Sequence, residues 1–427
     1  MLKSQRKQSN FGDIMELEQL FAKALGIEAP WKIVAVKFDS TAKDKKLEIS
    51  VDFERGSVFE YEDPETGVKG SYKAYDKIDK TWRHLNFFEH ECYLKANVPR
   101  IKPRDGGIKM IFPPWTGKVY GFTLLFEALV LQMCLNMPVH NAAKILKASD
   151  HKLWHVLECY VEMGLLQADY GAVNAVGMDE TSLKRGHNYI TLFVDMLKKK
   201  TIFITEGKNN ETVTEFATIL EDRGGNRRNI TDVSCDMSPA FIKGVKRELP
   251  NAQITFDRFH VVKIINEAVD EVRRSEVKSV PALKGARYVL LKNEANLTTN
   301  QKEERESLSK LNLKSIRALH IRENFQEIYK TTSSWQFEDS LKKWYFWATH
   351  SKLVPIIKAA RTIKAHWDGI LNWKKSQLSN GILEGLNSII QAAKRKARGY
   401  KFEHFKVMAY LLTGKLDLKS INMFLPT

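Results

Sequence analysis

The spacing of apolar positions changes character several times along the chain. Between residues 13 and 25, Ile14, Leu17, Leu20, Phe21 and Leu25 recur at helical intervals, which predicts a short amphipathic helix within an N-terminal arm of residues 1–30. Over 31–115 the period becomes two. Val34, Val36 and Phe38 alternate with polar neighbours, as do Leu47, Ile49, Val51 and Phe53. Turn formers at Glu62-Asp63-Pro64 and Asp105-Gly106-Gly107, and the closing Pro113-Pro114, complete a small β-rich domain. Helical spacing returns over 119–170 in three pieces: 121–136, 139–147 opened by Pro138, and 150–163 with Ser149 as its cap.

From 174 to 275 strands and helices alternate. Apolar runs at 175–178, 190–194, 202–204, 233–235 and 254–256 predict buried strands, and 211–223, 240–248 and 259–274 predict helices. Residues 189–205 form a hairpin with Lys198, Lys199 and Lys200 as a solvated turn. Three antiparallel strands followed by β-α-β is the order of a ribonuclease-H-like sheet. Residues 276–375 are helical and rich in charge and tryptophan. Helices resume over 376–415, before a tail of 416–427. The predicted fold class is therefore an α/β ribonuclease-H-like core, begun at 174–275, interrupted by a helical insertion and completed by the final helices. A β-rich domain and a three-helix segment precede it.

Composition narrows the partner. With 43% hydrophobic residues among 427 the chain can bury sizeable cores. Its 67 Lys and Arg against 51 Asp and Glu give a net charge of +16, which calls for a polyanion, either nucleic acid or an anionic membrane surface. No segment is apolar enough to span a bilayer: the best, 122–139, is broken by Glu127, Gln132, Asn136 and Pro138. The N-terminus lacks the apolar stretch of a signal peptide. Cys92, Cys134, Cys159 and Cys235 form no C-x-x-C pair and read as free thiols of a reducing cytoplasm.

Three acids carry the candidate chemistry. Asp179 follows the apolar 175–178 run, and Asp236 follows 231–235 just before Ser238-Pro239 opens a helix. Glu384 lies in a segment that Ser379 can cap. Leu383, Leu386 and Ile390 form its packing face, Asn387 stands beside Glu384, and Lys394-Arg395-Lys396-Ala397-Arg398-Gly399 closes it. Taken singly, an Asp beyond a strand is a helix cap or a solvated residue. Together, acids on the first strand, the fourth strand and a late helix fit metal-dependent phosphodiester chemistry. There, two Mg²⁺ ions are held by hard carboxylate oxygens, one activating a nucleophile and one stabilising the leaving oxygen.

At these residues the chain resembles the DDE transposases of bacterial insertion sequences, of the ISL-three-type family. The matching segments are Gly-Met-Asp-Glu-Thr-Ser from Gly177, Asp-Met-Ser-Pro-Ala-Phe from Asp236, Asp-Arg-Phe-His-Val-Val-Lys from Asp257, and the Glu384 helix through Asn387, Lys394 and Ala397-Arg398-Gly399-Tyr400. The likeness runs from about residue 75 to residue 411. It implies Asp179, Asp236 and Glu384 as catalytic, metal-binding acids with two Mg²⁺ per site, Mn²⁺ substituting. It also implies a D-x-x-H pair at Asp257 and His260. For that pair two readings stand: His260 beside the scissile phosphate, or Asp257 capping a helix in which His260 packs. The family's insertion falls on 276–375. Trp335, Trp344, Trp347, Trp367 and Trp373 there read as its own core, with stacking on an unpaired base as the alternative.

The resemblance further implies that 121–165 is a helix-turn-helix. Ala142 and Ala143 would allow close packing, Leu146, Trp154 and Leu157 would fill its core, and His151, Lys152 and His155 would face DNA. The family's zinc module should lie upstream, but 59–65 and 101–107 hold no cysteine pair, so 31–115 is expected to fold without zinc. Arg223, Arg227, Arg228, Lys243, Lys246 and Arg247 are expected to hold phosphates or to form a solvated face. For Lys394, Arg395 and Arg398, with Asn387, the expectation is DNA contact. The implied activity is binding of an element's terminal inverted repeats, metal-dependent cleavage and strand transfer into target DNA. The protein would act on double-stranded DNA as a homodimer or larger assembly in the bacterial cytoplasm, at the nucleoid. The rivals are a catalytically silent DNA-binding regulator derived from a transposase, and a nuclease that joins no strands.

Overall fold

Leu47, Ile49 and Val51 are fully buried along one face of their strand, as their alternation requires. In the computed structural model the described residues are 16–39, 45–104, 107–184, 188–376, 378 and 381–418. They divide into two compact units, one ending at Gly164 and the other spanning Leu165–Leu416. Ile14, the Asp105-Gly106 part of the second turn, Ser379 and most of the 416–427 tail lie outside the described residues.

The first unit begins with α1 (Leu17–Leu25), ended by Gly26 in the left-handed region at φ 62°. Strands follow at β1 (Trp31–Asp39), β2 (Lys46–Phe53), β3 (Val58–Glu62), β4 (Lys69–Lys73), β5 (Asp76–Arg83), β6 (Glu91–Ile101) and β7 (Lys109–Met110). The main sheet runs β1-β2-β6-β5 with β7 on β6, and β3-β4 is a separate hairpin. In β1 the expected alternation holds for Val36 and Phe38, which stand opposite the buried Ile49 and Leu47 on the core side, and fails at Val34, which is exposed; Trp31 and Ile33 take the core positions before it. A register shift between Ile33 and Ala35 in the pairing with β2 breaks the simple period, and a one-residue slip exchanges the faces of a strand.

Three helices complete this unit: α2 (Leu124–Asn136), α3 (Val139–Leu146) and α4 (Asp150–Leu166). The Thr123 hydroxyl accepts from Phe126 N–H to cap α2, and the Ser149 hydroxyl accepts from Lys152 N–H at 3.3 Å at the start of α4. Ala142 and Ala143 are buried, as close helix packing needs. The core is filled by Leu153, Val156, Leu157 and Tyr160, whereas Trp154, expected inside, is only half-buried. Glu127 is wholly buried. It accepts from Lys118 N–H (2.8 Å), Val119 N–H (2.6 Å) and the Tyr160 hydroxyl (2.6 Å). Gly117 gives it room, since a Cβ there would stand 2.4 Å from Glu127 Oε1.

In the second unit a five-stranded sheet has the order β10-β9-β8-β11-β12, built from β8 (Ala175–Lys184), β9 (Asn188–Asp195), β10 (Lys200–Glu206), β11 (Asp232–Cys235) and β12 (Gln253–Phe256). β8, β9 and β10 are antiparallel; β11 is parallel to both β8 and β12. Helices α5 (Glu211–Asp222), α6 (Pro239–Glu248) and α7 (Arg258–Glu276) connect and follow these strands. α8 (Arg287–Leu291), α9 (Thr299–Ser309), α10 (Lys314–Ile328), α11 (Ser334–Thr349), α12 (Val354–Ala365) and α13 (Trp367–Ser376) form the helical part. α14 (Gly381–Lys396) and α15 (Phe402–Thr413) return to the sheet.

One hydrophobic core runs from Val176 and Phe193 in the sheet through α7 to Phe325, Trp344 and Ile370. The tryptophans divide. Trp344 is 1% exposed and donates to Ile321 O at 2.9 Å, and Trp367 and Trp373 pack against the core, but Trp335 (74%) and Trp347 (39%) lie outside it. Both sheet edges are covered, which blocks strand addition. Tyr410 of α15 accepts from Ile204 N–H, and Asn372 of α13 donates to Ile254 O.

Glu127→Ala leaves two buried N–H groups and a tyrosine hydroxyl without their acceptor. It is expected to cost the first unit about 3 kcal/mol in urea unfolding, with Glu127→Gln losing less because one acceptor oxygen is kept. An unchanged midpoint for the alanine variant would remove Glu127 from its place as the pin of this unit.

Candidate active site

Parallel pairing fixes the first two acids. β11 matches β8 through Ser234 opposite Gly177, and beyond that pair the two strands diverge. Asp236 and Asp179 each lie two residues further on, so they come level and share a face. Asp236 Oδ1 accepts from Ser238 N–H at 2.9 Å. This satisfies a donor at the start of α6, which the Ser238 side chain leaves uncapped. Asp179 Oδ1 accepts from Glu180 N–H at 2.9 Å.

The chain then brings a cation to the pair. Asp257 N–H donates to Cys235 O at 3.1 Å, holding the start of α7 beside the end of β11. Asp257 takes the capping role that the sequence offered as one of two readings, and it also holds His260. Its Oδ1 caps α7 through Phe259 N–H, and its Oδ2 lies 2.9 Å from His260 Nδ1. That bond to Asp257 holds the His260 pKa above its usual value, with the charges of Asp257, Asp236 and Asp179 adding to it. Burial pushes the Asp179 carboxyl up to about 6; the Asp236 charge adds to this, and Glu180 N–H, His260 and Asn387 offset part of it.

Glu180, to which the sequence reading gave no role, belongs to the same group. Burial raises its carboxyl, Asp236 raises it further, and Lys208 counters both. Its neighbour in the sequence drew all the attention, and strand alternation would have sent Glu180 to the other face.

α14 meets β8 through a ladder of polar contacts. Asn387 Nδ2 donates to Asp179 Oδ2, Gln391 Nε2 to Thr181 Oγ1 at 2.6 Å, and Lys394 Nζ to Ser182 O at 2.6 Å. Leu383 anchors the start of the helix against Ala175, Val194 and Met196. Gly177 makes this approach possible: a Cβ there would stand 2.5 Å from Met196 Sδ and 3.0 Å from Leu383 Cδ1. Glu384 is exposed on α14, one turn before Asn387. Among the described residues no three His, Cys, Asp or Glu side chains stand together as a metal cage. Two of the three predicted acids thus meet, and the helix bearing the third is bonded to one of them.

The expected DNA contacts fare unevenly. Asn387 and Lys394 are spent inside the protein, on Asp179 and on the Ser182 carbonyl, because their spacing of seven matches the strand beside them. Arg395 and Arg398 are exposed. The helix ends with Arg398, not Gly399, as its first left-handed residue, at φ 60°. Of the basic cluster, Arg223 donates to the Tyr170 hydroxyl, Arg227 bridges Glu221 and Glu248, and Arg247 pairs with Glu248. Arg228, Lys243 and Lys246 remain exposed. In the first unit His151, Lys152 and His155 are exposed on α4, with Lys152 Nζ 5.5 Å from the Phe122 ring centroid.

The oxygen donors suit a hard divalent cation. Two ionisable carboxylates are held level in partial burial, and the buried Oδ1 of Asn387 has no hydrogen-bond partner among the described residues. Without a cation the pair is a liability. The folded Asp179 pKa lies above the unfolded value, so the native state holds the extra proton between about pH 4 and 6, and stability falls as pH rises through that window. Asp236→Asn keeps the bond to Ser238 and removes the repulsion. In melts with chelator at pH 7 it is expected to stabilise the second unit by on the order of 1 kcal/mol. A loss of stability would contradict the assignment of repulsion.

Comparison with known proteins agrees with this chemistry. Over 334 residues the chain is 26% identical to the transposase of insertion sequence element IS1001 from Bordetella parapertussis, covering 76% of this chain and 81% of that protein. Over 381 residues it is 24% identical to the transposase of element IS1557 from Mycobacterium tuberculosis, covering 81% and 84%. No helix among the described residues is long and apolar enough to cross a membrane. Residues 176–409, more than half of the chain, match the transposase family of the DDE, ISL3 type, and the protein belongs to that family.

Proposed function

We propose that the protein binds the terminal inverted repeats of an insertion sequence and cuts and joins DNA with Asp179, Asp236 and Glu384. The observation that carries this reading is the level pair Asp179–Asp236, with His260 beside it and the Glu384 helix bonded to it through Asn387. The 3-2-1-4-5 strand order, with its first three strands antiparallel, supports a ribonuclease-H-like sheet. Names of relatives from two bacteria support action on an insertion sequence.

Two Mg²⁺ ions, or Mn²⁺ in their place, would supply a nucleophile of lowered pKa and charge for the leaving oxygen. Asp179 and Asp236 hold them with carboxylate oxygens, and Glu384 adds a third carboxylate from α14. His260, whose protonated form Asp257 favours, donates a hydrogen bond toward a phosphate oxygen. Asn387 positions Asp179 by holding its Oδ2. The exposed His151, Lys152 and His155 on α4 read the repeat, and Arg395 and Arg398 take backbone phosphates. Handling two ends together calls for at least a dimer, working on double-stranded DNA at the bacterial nucleoid.

Nicking of repeat-end DNA in Mg²⁺ tests the reading. Asp236→Asn is expected to lower the rate on the order of 10³-fold, a loss of several kcal/mol of charge stabilisation, while DNA affinity is kept. If wild type nicks no faster than the variant, the protein is a silent DNA-binding regulator. Joining of pre-cut ends then separates a transposase from a plain nuclease. The rate should also fall as pH drops through about 6, where metal-free Asp179 takes up its proton in competition with Mg²⁺; more Mg²⁺ should move this acid limb to lower pH, and a limb indifferent to Mg²⁺ would assign the titration elsewhere.

A further inference from the structure

The second unit contains a cleft of about 780 Å³ between α6 and α13, floored by the edge strand β12. Its chemistry is mixed. Ile254 and Phe256 of β12 and Ile242 of α6 make an apolar floor and wall. Lys243 and Lys246, one turn apart on α6, stand at the rim; both are exposed, and neither has an acidic partner among the described residues. The remaining cation of that rim, Arg247, is already paired with Glu248.

Facing the lysines, His366 closes the cleft at the junction of α12 and α13. Its ring leans on Phe256, with centroids 5.2 Å apart. Burial lowers its pKa, so it is a neutral imidazole at pH 7. Its Nδ1 is buried and has no hydrogen-bond partner among the described residues. A buried polar atom without a partner costs stability unless something entering the cleft satisfies it. Asn372, also on this wall, is committed to Ile254 O.

An apolar floor, a neutral ring with an unsatisfied nitrogen and two free cations suit a flat heterocycle joined to phosphate. Position adds a further argument. Pro239, the first residue of α6, lines the cleft only three residues after Asp236, so one mouth opens close to the carboxylate pair. We propose that this cleft binds an unpaired nucleotide of the DNA strand beside the cleavage position, with Lys243 and Lys246 on its phosphates and its base against the His366 wall. This rests on the reading of the chain as a DNA-cutting enzyme, but it concerns binding and can fail separately.

The test is binding of a short single-stranded oligonucleotide to the full chain in chelator, across a salt series, with a blunt duplex of equal length and free deoxynucleoside monophosphate as the other arms. The Lys243→Ala, Lys246→Ala double variant is expected to weaken the single strand about 20-fold at 0.1 M salt. It should also flatten the log-log salt slope by about 1.4, since each lost phosphate contact on a single strand removes roughly 0.7. His366→Phe keeps the ring but removes its nitrogens, and should weaken the single strand several-fold with no change of slope. The monophosphate should bind far more weakly than the strand, with the same sensitivity to His366→Phe.

Equal weakening of strand and blunt duplex by the double variant would make the lysines part of a general basic surface and overturn the proposal. So would full single-strand affinity in both variants, or a monophosphate that binds as tightly as the strand. Nicking by wild type against Asp236→Asn reports on the catalytic reading alone. A chain that nicks but shows none of these binding differences therefore loses the cleft and keeps the enzyme.

Discussion

Parallel pairing of β11 with β8 stops at Ser234 and Gly177, and two residues later each strand presents a carboxylate to the same space. Like charges held this way in partial burial repel, and the protein around them is built to contain that repulsion. A backbone N–H is directed at each acid, from Glu180 and from Ser238. His260, whose charged form Asp257 favours, lies near enough to lower the Asp179 carboxyl. Asn387 reaches over from a helix some two hundred residues away in sequence. Asp179 still sits well above an ordinary aspartate, chiefly because it is buried and in lesser part because of the Asp236 charge. A site that stays under-compensated without a cation is one that a cation stabilises on arrival, and native stability is spent on it beforehand.

α14 is fastened closely to β8, along the strand as well as against it. Leu383 fixes its start by occupying the space that Gly177 leaves, and Asn387, Gln391 and Lys394 fix its advance by bonding to Asp179, Thr181 and Ser182 in turn. Shifting the helix by one residue would rotate all three polar groups about 100° away from the strand and break the whole set at once. Glu384 lies outside this ladder and is exposed.

Much of this was legible in the sequence because it depends on local periodicity. Five apolar runs and the helix start at Ser238-Pro239 were enough for the succession of strands and helices from Ala175 to α7, and Asp179 and Asp236 stood at recognisable places next to those runs. What was not legible depends on partners far away in sequence. Val34 alternates correctly with Val36 and is still exposed, because a register shift, invisible in composition, puts it out of step with Val36, which packs on the core opposite Ile49. Trp335 and Trp344 lie on one helix with the same residue type and opposite burial, since only one meets Phe325. Asn387 and Lys394 read as DNA contacts for want of any sign that a strand beside them would claim both.

The basic residues carry this one step further. A net charge of +16 says that a polyanion is wanted, but not where, because a lysine or arginine already bonded within the protein has little left for a phosphate. The cluster from Arg223 to Arg247 separates on this criterion. Arg227 and Arg247 share Glu248, while Lys243 and Lys246 on the same helix as Arg247 have no such partner among the described residues. Glu248 thereby does more than pair charges. By holding Arg227 and Arg247 at the end of α6 it leaves Lys243 and Lys246, on the helix that starts three residues after Asp236, as that helix's cations without an acidic partner among the described residues. The useful charge of the protein is the charge it has not neutralised itself, and that quantity follows from the fold.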